Sequence, residues 1–236
     1  MHVSLSEVET TIYKAALGVG LPVGLGENAG SAARYMMETG LGMVGIFEES
    51  LHALEQRRSD GFKIDYSFPT RFNPKVGGRM LSSIMVAPSA CDFATMIKTE
   101  NAEVATVTLS EVDVPGVILF EALVNTLDTS HGYCVSWNPG DRRSVEAACW
   151  NGLLYFIKGT RQDLIMSGPC DITITSILEE PTKIGAKPDP LAGHEKTEID
   201  ASSWKRIRNY ADRLFVGSTE TSRLFGAGSG GLIEID

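Results

Sequence analysis

Hydrophobic residues recur every three or four positions through the first sixty residues, which is the period of an amphipathic helix. Residues 1–58 therefore predict three helices, "SLSEVETTIYKAAL", "ENAGSAARYMME" and "VGIFEESLHALEQRR". A capping box formed by Ser6 and Glu9 is expected to begin the first helix. Glycines follow the first and second helices and are typical helix ends. The opening of the chain is thus predicted to be a three-helix unit.

The hydrophobic period changes to two in residues 62–178, which is typical of half-buried strands. Strands are predicted at "KIDYSF", "SSIMVA", "EVATVTL", "GYCVSWN" and "CDITITSIL", and helices at "CDFATMI", "VPGVILFEALVNTL" and "RQDLIMS". Asn151-Gly152 between "SVEAACW" and "LLYFIKG" predicts a type I′ hairpin turn. This region is expected to form a strand-rich core with helices.

Residues 179–199 are rich in proline and charge, without periodicity, and predict a loop. Residues 200–236 predict the helices "SSWKRIRNYADRL" and "TETSRLF" and a glycine-rich tail. We expect one compact domain over residues 1–236, of mixed α/β class. Its N-terminal three-helix unit packs on a mixed, largely antiparallel sheet, and the C-terminal helices cover it.

Charge and composition narrow the range of partners. Lys and Arg total 21 against 30 Asp and Glu, a net charge of -9, so no nucleic-acid partner is expected. No stretch near the start is long and apolar enough for a membrane span, and no membrane partner is expected. Four cysteines without a CxxC pair, and no secretory signal, predict a cytoplasmic protein. The apolar hairpin "LLYFI" fits either a homodimer or a sheet buried on both faces.

Two glycine motifs raise the question of phosphate binding. "GAGSGG" at 226–231 spells GxGxxG, but a helix precedes it and only "LIEID" follows, so a helix stop and tail is the preferred interpretation. "GLGENA", with Gly24 and Gly26, satisfies GxGxxA and opens a helix. A tight turn between two helices packed through Ala and Gly is the preferred interpretation. With Arg34, the amides at Gly24 and Gly26 predict a weak anion site.

A second candidate anion site lies in "GSTETSR" near the end of the chain. Ser218 and Thr219 offer backbone amides and hydroxyls at a helix start, and Arg223 follows one turn later. Simple N-capping by Ser218 is the competing interpretation.

The segment "DTSHGYC" contains the candidate acid–base residues Asp128 and His131. A plain surface loop is the preferred interpretation. The alternative is that both residues share a loop at a strand end, where sites often lie in α/β sheets. Cys134 is predicted to share a sheet face with Ser136. The other histidines and cysteines show no metal-ligand spacing, so neither a metal nor a cofactor is predicted.

The segments "SLSEVETTIYKAALGVGLPVGLGENAGSAARYM" and "STETSRLFGAGSGGL" resemble an uncharacterised bacterial family, a domain of unknown function. That resemblance implies no catalytic residues. The helical opening is also similar to the start of the malate, lactate and sulfolactate dehydrogenases of the non-Rossmann type, whose helices lead into an Asp-Ser-His-Gly motif. The matching region here reads "ETGLGMVG" and has no histidine.

Two hypotheses follow, and the sequence does not choose between them. The first is an enzyme or enzyme subunit acting on a small anionic metabolite, with Asp128 or His131 as acid or base. It predicts that these residues converge with the anion-binding groups on one pocket. Those groups are Arg34, Ser218, Thr219 and Arg223.

The second hypothesis is a non-catalytic accessory module that docks on a protein partner through its N-terminal helices. It predicts an exposed apolar patch around Val44, Phe47 and Leu51, which share a stripe of the third predicted helix. Packing of the helix inside the protein would produce the same stripe.

Overall fold

The computed structural model describes residues 1–40, 43–65, 68–101, 106–127, 129–138, 144–165, 168–184, 186–189 and 196–214. The helices within these ranges are α1 (Leu5–Gly18), α2 (Val23–Glu38), α3 (Gly45–Glu55), α4 (Ser83–Asn101), α5 (Pro115–Val124) and α6 (Ala201–Ala211). Short 3-10 helices cover Arg161–Ile165, Pro181–Ile184 and Asp212–Leu214. The helical opening and the helices at α5 and α6 are confirmed.

The strands form one large sheet and one small one. The strands are β1 (His2–Ser4), β2 (Ser59–Asp60), β3 (Phe62–Asp65), β4 (Phe68–Pro74), β5 (Met80–Leu81), β6 (Thr106–Val112), β7 (Gly132–Trp137), β8 (Val145–Trp150), β9 (Leu153–Lys158), β10 (Cys170–Ile177), β11 (Lys187–Asp189) and β12 (Lys196–Glu198). The large sheet runs β11-β9-β8-β7-β10-β6-β4-β3, with β5 beside β6 and β2 beside β5. β1 pairs with β12.

The large sheet is mixed and largely antiparallel, as the sequence predicts. β4 and β5 pair with β6 in parallel, as does β2 with β5, whereas the other pairs described in this sheet are antiparallel. Asn151 (φ 47°) and Gly152 (φ 71°) join β8 to β9. Positive φ at both positions is what a type I′ turn requires, so the predicted hairpin is confirmed.

Helices α4 and α5 lie against one face of the large sheet, and a second helical layer packs outside them. In that outer layer α2 contacts α5, and α6 contacts α1 and α3. We call the sheet face opposite α4 and α5 the outer face. The alternation of β7 confirms the predicted placement of Cys134, since Tyr133, Val135 and Trp137 are buried whereas Cys134 and Ser136 are half-buried.

Helices α1 and α2 approach closely because α2 presents glycines to α1. A Cβ at Gly30 would lie 2.7 Å from the carbonyl oxygen of Glu9, and one at Gly26 would lie 3.2 Å from the Tyr13 ring. Only residues without a side chain allow this distance. The small residues of "ENAGSAAR" are therefore explained by packing between two helices.

Four local predictions are wrong. The N-cap of α1 is Ser4, whose Oγ accepts the Glu7 N–H at 3.2 Å, and not Ser6. Helix α2 begins at Val23, four residues before the predicted start. The segment "SSIMVA" begins α4 and is not a strand, because a short apolar run has the same appearance in a buried helix. Residues 179–199 contain β11 and β12 and are therefore not simply a loop.

Candidate functional site

His131 lies at the end of the loop that leads into β7, beside the helix α4. Its Nε2 lies 3.3 Å from the phenol oxygen of Tyr133 and 3.4 Å from the hydroxyl of Thr95 on α4. The rings of His131 and Tyr133 meet edge to face, with centroids 5.5 Å apart. Thr129 fixes the loop by donating its hydroxyl to the carbonyl of His131 at 3.0 Å. The structure therefore combines an imidazole and two hydroxyls, which we call the His131 cluster.

The hydroxyl groups of this cluster are held by one another and by the backbone of α4. The phenol of Tyr133 and the hydroxyl of Thr95 are 2.8 Å apart, and Thr95 donates to the Cys91 carbonyl at 3.1 Å. Tyr133 is 2% exposed, and its burial raises the pKa of the phenol. Tyr133 is consequently a neutral hydrogen-bonding group throughout the physiological pH range.

The cluster has the chemistry of a proton-transfer site. Imidazole is the side chain that gains and loses a proton near neutral pH, and hydroxyl groups can both donate and accept hydrogen bonds. His131 is half-buried. Its role as an acid or base stays a prediction, and Asp128 lies outside the described residues.

The predicted anion site at Gly24 and Gly26 falls inside the first turn of α2. The amides of the first turn have no partner within a helix, whereas Gly26 already donates to the carbonyl of Pro22 at 3.0 Å. Arg34 lies ten residues further, about 15 Å along the axis. Its guanidinium is paired with Glu9 at 3.1 Å and Glu38 at 3.0 Å, and these carboxylates raise its pKa. The structure does not bring Arg34 to the amides of Gly24 and Gly26.

The second predicted anion site lies outside the described residues. This applies to Ser218, Thr219 and Arg223, and to the motif at 226–231. Their roles stay predictions, and so does the convergence of all the predicted residues on one pocket.

The apolar stripe of the third helix is not a docking patch. Val44, Phe47 and Leu51 are each 0% exposed and belong to the hydrophobic core. Helix α3 contacts α1, α5 and α6, which bury this face. The prediction of an exposed apolar patch at these residues is wrong, because packing inside the protein accounts for the stripe.

Two buried carboxyl groups were missed by the sequence interpretation. Asp113 connects the start of α4 to the start of α5, and burial raises its pKa. Glu121 on α5 has an oxygen without a hydrogen-bond partner among the described residues, and burial raises its pKa to about 8. Two features of the sequence point to these buried carboxyl groups. Asp113 lies directly before a predicted helix, and Glu121 is the single charged residue in the apolar run "VILFEALV".

A cavity of about 320 Å³ lies on the outer face of the large sheet. The polar groups that the strands β7 to β10 contribute to its lining are Ser136, Glu146, Lys158, Asp171 and Thr173. Lys158 pairs with Glu146 at 3.2 Å. The Cys134 thiol lies 3.7 Å from the other oxygen of Glu146, and burial together with that carboxylate raises the pKa of the thiol to about 12.

The part of the chain that the structure describes contains no group of three or more His, Cys, Asp or Glu side chains placed to hold a metal ion. Within the same residues no helix is both long and apolar enough to cross a membrane.

Residues 3–80 match the family described as "Protein of unknown function (DUF3726)", which confirms the resemblance to a domain of unknown function for this third of the chain. A comparison with curated proteins finds no match.

Solved structures of sulfolactate and malate dehydrogenases share this fold. The chain is similar to the sulfolactate dehydrogenase from Methanocaldococcus jannaschii at 10% identity and a TM-score of 0.54, over 90% of this chain and 97% of that one. It is similar to the malate dehydrogenase from Pyrococcus horikoshii OT3 at 7% identity and a TM-score of 0.51, over 90% of each chain. It is similar to the malate dehydrogenase from Entamoeba histolytica at 7% identity and a TM-score of 0.50, over 89% of this chain and 92% of that one. At these identities the likeness shows the fold alone.

Proposed function

We propose that the protein is an enzyme, or an enzyme subunit, that acts on a small anionic metabolite, with His131 as its acid–base residue. The observation that carries the proposal is the position of the His131 Nε2, 3.3 Å from the Tyr133 phenol and 3.4 Å from the Thr95 hydroxyl. An imidazole beside two hydroxyls can bind a carboxylate or hydroxyl group of a ligand and exchange a proton with it.

The fold supports the class of ligand. The similar structures are dehydrogenases of malate and sulfolactate, both small organic anions, and the similarity extends over about 90% of this chain. The dehydrogenases that the opening sequence resembles have a histidine motif after their opening helices. At the matching position this chain reads "ETGLGMVG", which contains no histidine. A histidine that acts on the ligand must therefore come from another segment, and His131 is our candidate.

The remaining groups of the proposed site are those that the sequence suggests. Asp128 precedes His131 by three residues and is the second acid–base candidate. Ser218, Thr219 and Arg223 are proposed to bind the negative charge of the ligand, because hydroxyls, amides and a guanidinium at a helix start favour an anion. Gly24, Gly26 and Arg34 are not part of the proposed site, because Arg34 is paired with Glu9 and Glu38 and does not reach the amides of the two glycines.

The imidazole signals of the four histidines offer a direct test. In a two-dimensional NMR experiment that observes imidazole groups, the signal of His131 is assigned as the one lost in His131→Asn. Malate, lactate and sulfolactate are then added separately. We expect at least one anion to shift the His131 signal in a saturable way. This shift should disappear at high salt, because salt screens the attraction between the anion and its site. His2, exposed on β1, is the internal control.

Two outcomes contradict the proposal. If no anion shifts the His131 signal, or if His2 shifts as much, His131 does not line an anion site. Conversion of a bound anion, followed in the ligand's own proton signals, separates an enzyme from a binding protein. We expect His131→Asn to retain most of the binding and to lose the conversion.

A further inference from the structure

The outer-face cavity contains a row of polar side chains that crosses four neighbouring strands in register. Thr173 on β10 lies opposite Ser136 on β7, Ser136 lies opposite Glu146 on β8, and Glu146 lies opposite Lys158 on β9. Neighbouring strands are about 4.8 Å apart, so the row spans about 14 Å of the sheet. Thr108 on β6 continues the same row beyond the cavity.

The centre of the row provides two hydroxyl groups without a hydrogen-bond partner among the described residues. Ser136 and Thr173 are half-buried and line the cavity, and neither hydroxyl makes a hydrogen bond within the described part of the chain. The neighbouring pair Thr106 and Thr175 differs, because their hydroxyls lie 3.2 Å apart. A hydroxyl group can donate one hydrogen bond and accept two. Ser136 and Thr173 therefore suit a ligand whose groups both donate and accept hydrogen bonds.

The charges of the lining do not favour an anion. Its one cation, within the described residues, is Lys158, which is already paired with Glu146. Asp171 adds a second carboxylate, which accepts the Glu111 N–H at 2.9 Å and pairs with Arg71 at 4.0 Å. Lys158 and Arg71 are therefore both already paired with a carboxylate, so the described lining offers a small organic anion no unpaired positive charge, while the carboxylate oxygens can accept hydrogen bonds from ligand hydroxyls.

We propose that this cavity binds a small uncharged molecule with several hydroxyl groups, of the size of a monosaccharide or a cyclic polyol. A volume of about 320 Å³ is at the small end of ligand sites, and an apolar ligand would leave the hydroxyls of the row without partners. Ser136 and Thr173 bind the centre of the ligand, and Glu146 and Asp171 accept hydrogen bonds from its hydroxyls.

This site is distinct from the His131 cluster. His131 precedes β7, and Ser136 lies five residues further, about 16 Å along an extended strand. Tyr133 of the cluster faces α4, whereas Ser136 faces the opposite side of the sheet. The proposal therefore does not depend on the proposed function, and His131→Asn is expected to leave it unchanged.

The test is a titration of the ¹⁵N-labelled full chain with D-glucose, D-ribose and myo-inositol, each followed in the backbone amide signals. At least one probe is expected to give saturable shifts at Ser136, Glu146, Lys158 and Thr173. A double variant, Ser136→Ala with Thr173→Val, removes both hydroxyls and is expected to weaken binding about tenfold, the effect of losing two neutral hydrogen bonds. Thr108→Val, in the same row but outside the cavity, is the matched control and should bind normally.

Three results would overturn the proposal. One is the absence of saturable shifts with all three probes in a chain whose amide spectrum shows it to be folded. Another is equal binding by the double variant and the Thr108→Val control. The last is saturable binding of malate at these same amides, abolished by Lys158→Gln, which would make the cavity an anion site.

Discussion

The carboxylate of Asp113 accepts the backbone N–H of Ser83 at 2.9 Å, and this bond ties the first turn of α4 to the start of α5. The same oxygen accepts the N–H of Val114 at 2.7 Å, and the second oxygen accepts the hydroxyl of Ser50 from α3 at 3.2 Å. Asp113 is 3% exposed. One buried side chain thus fixes the beginnings of the two helices that lie against the sheet.

Asp113→Ala is expected to lower the free energy of unfolding by about 2–4 kcal/mol, because it leaves the buried backbone amides of Ser83 and Val114 without an acceptor. Asp113→Asn keeps one acceptor oxygen and should cost less. Urea denaturation followed by circular dichroism measures both. Asp92→Ala, at an exposed position of α4, is the control and should change stability by less than about 0.5 kcal/mol. Equal effects of Asp113→Ala and Asp92→Ala would contradict this role.

Glu121 should make the stability of the protein depend on pH. Burial raises its pKa from the usual 4.5 to about 8, so the folded chain binds this proton more tightly than the unfolded chain. The resulting stabilisation is complete below the unfolded-state pKa and is lost as the pH rises through about 8.

Glu121→Gln removes that loss, and we expect the variant to exceed the parent protein in stability by about 2–4 kcal/mol above the folded-state pKa. The difference should disappear at a pH below 4.5, where the carboxyl is protonated in both states. Urea denaturation across this range measures it. Glu27→Gln, at an exposed position of α2, should show no such trend. A constant difference at every pH would indicate a packing effect.

Two glycines of α2 give a matched pair for the packing of α1 on α2. A Cβ at Gly30 would lie 2.7 Å from the Glu9 carbonyl, whereas one at Gly24 would meet no atom within 4 Å. Gly30→Ala is therefore expected to destabilise the protein by about 1–3 kcal/mol, and Gly24→Ala to stabilise it by up to about 1 kcal/mol through helix propensity. Thermal unfolding distinguishes the two. Similar midpoints for both variants would show that the helices adjust their separation.

The sequence predicts this fold best where a few adjacent residues decide the structure. Asn151-Gly152 specifies its turn through the positive φ of both residues, and Pro115 marks the first turn of α5. The sequence predicts a strand at the start of α4, because the acceptor of the Ser83 N–H, Asp113, lies 30 residues away. Periodicity within a short window contains no information about such a partner.

The candidate sites show the same difference between features set by adjacent residues and features set by residues distant in sequence. His131 is predicted from its own segment, but its contact with Thr95 joins residues 36 apart in sequence. The polar row was not predicted, because Thr173, Ser136 and Glu146 become neighbours only through the pairing of three strands. Each of these residues taken singly is an ordinary polar position of a half-buried strand.

Cys134 gives a chemical measurement of the electrostatics at the outer-face cavity. Burial and the carboxylate of Glu146 raise the pKa of its thiol to about 12, while Lys158 acts in the opposite direction. Because only the thiolate is alkylated, we expect Cys134 to react very slowly with iodoacetamide at neutral pH.

Glu146→Gln removes the nearby negative charge and leaves Lys158 without its partner, so both changes favour the thiolate. We expect alkylation of Cys134 to accelerate about tenfold, which corresponds to a fall of one pKa unit. Lys158→Gln should slow the reaction instead, and peptide mapping by mass spectrometry separates Cys134 from the buried Cys91 and Cys149. Opposite effects of the two substitutions identify charge as the cause, since a general loosening of the strands would accelerate alkylation in both variants.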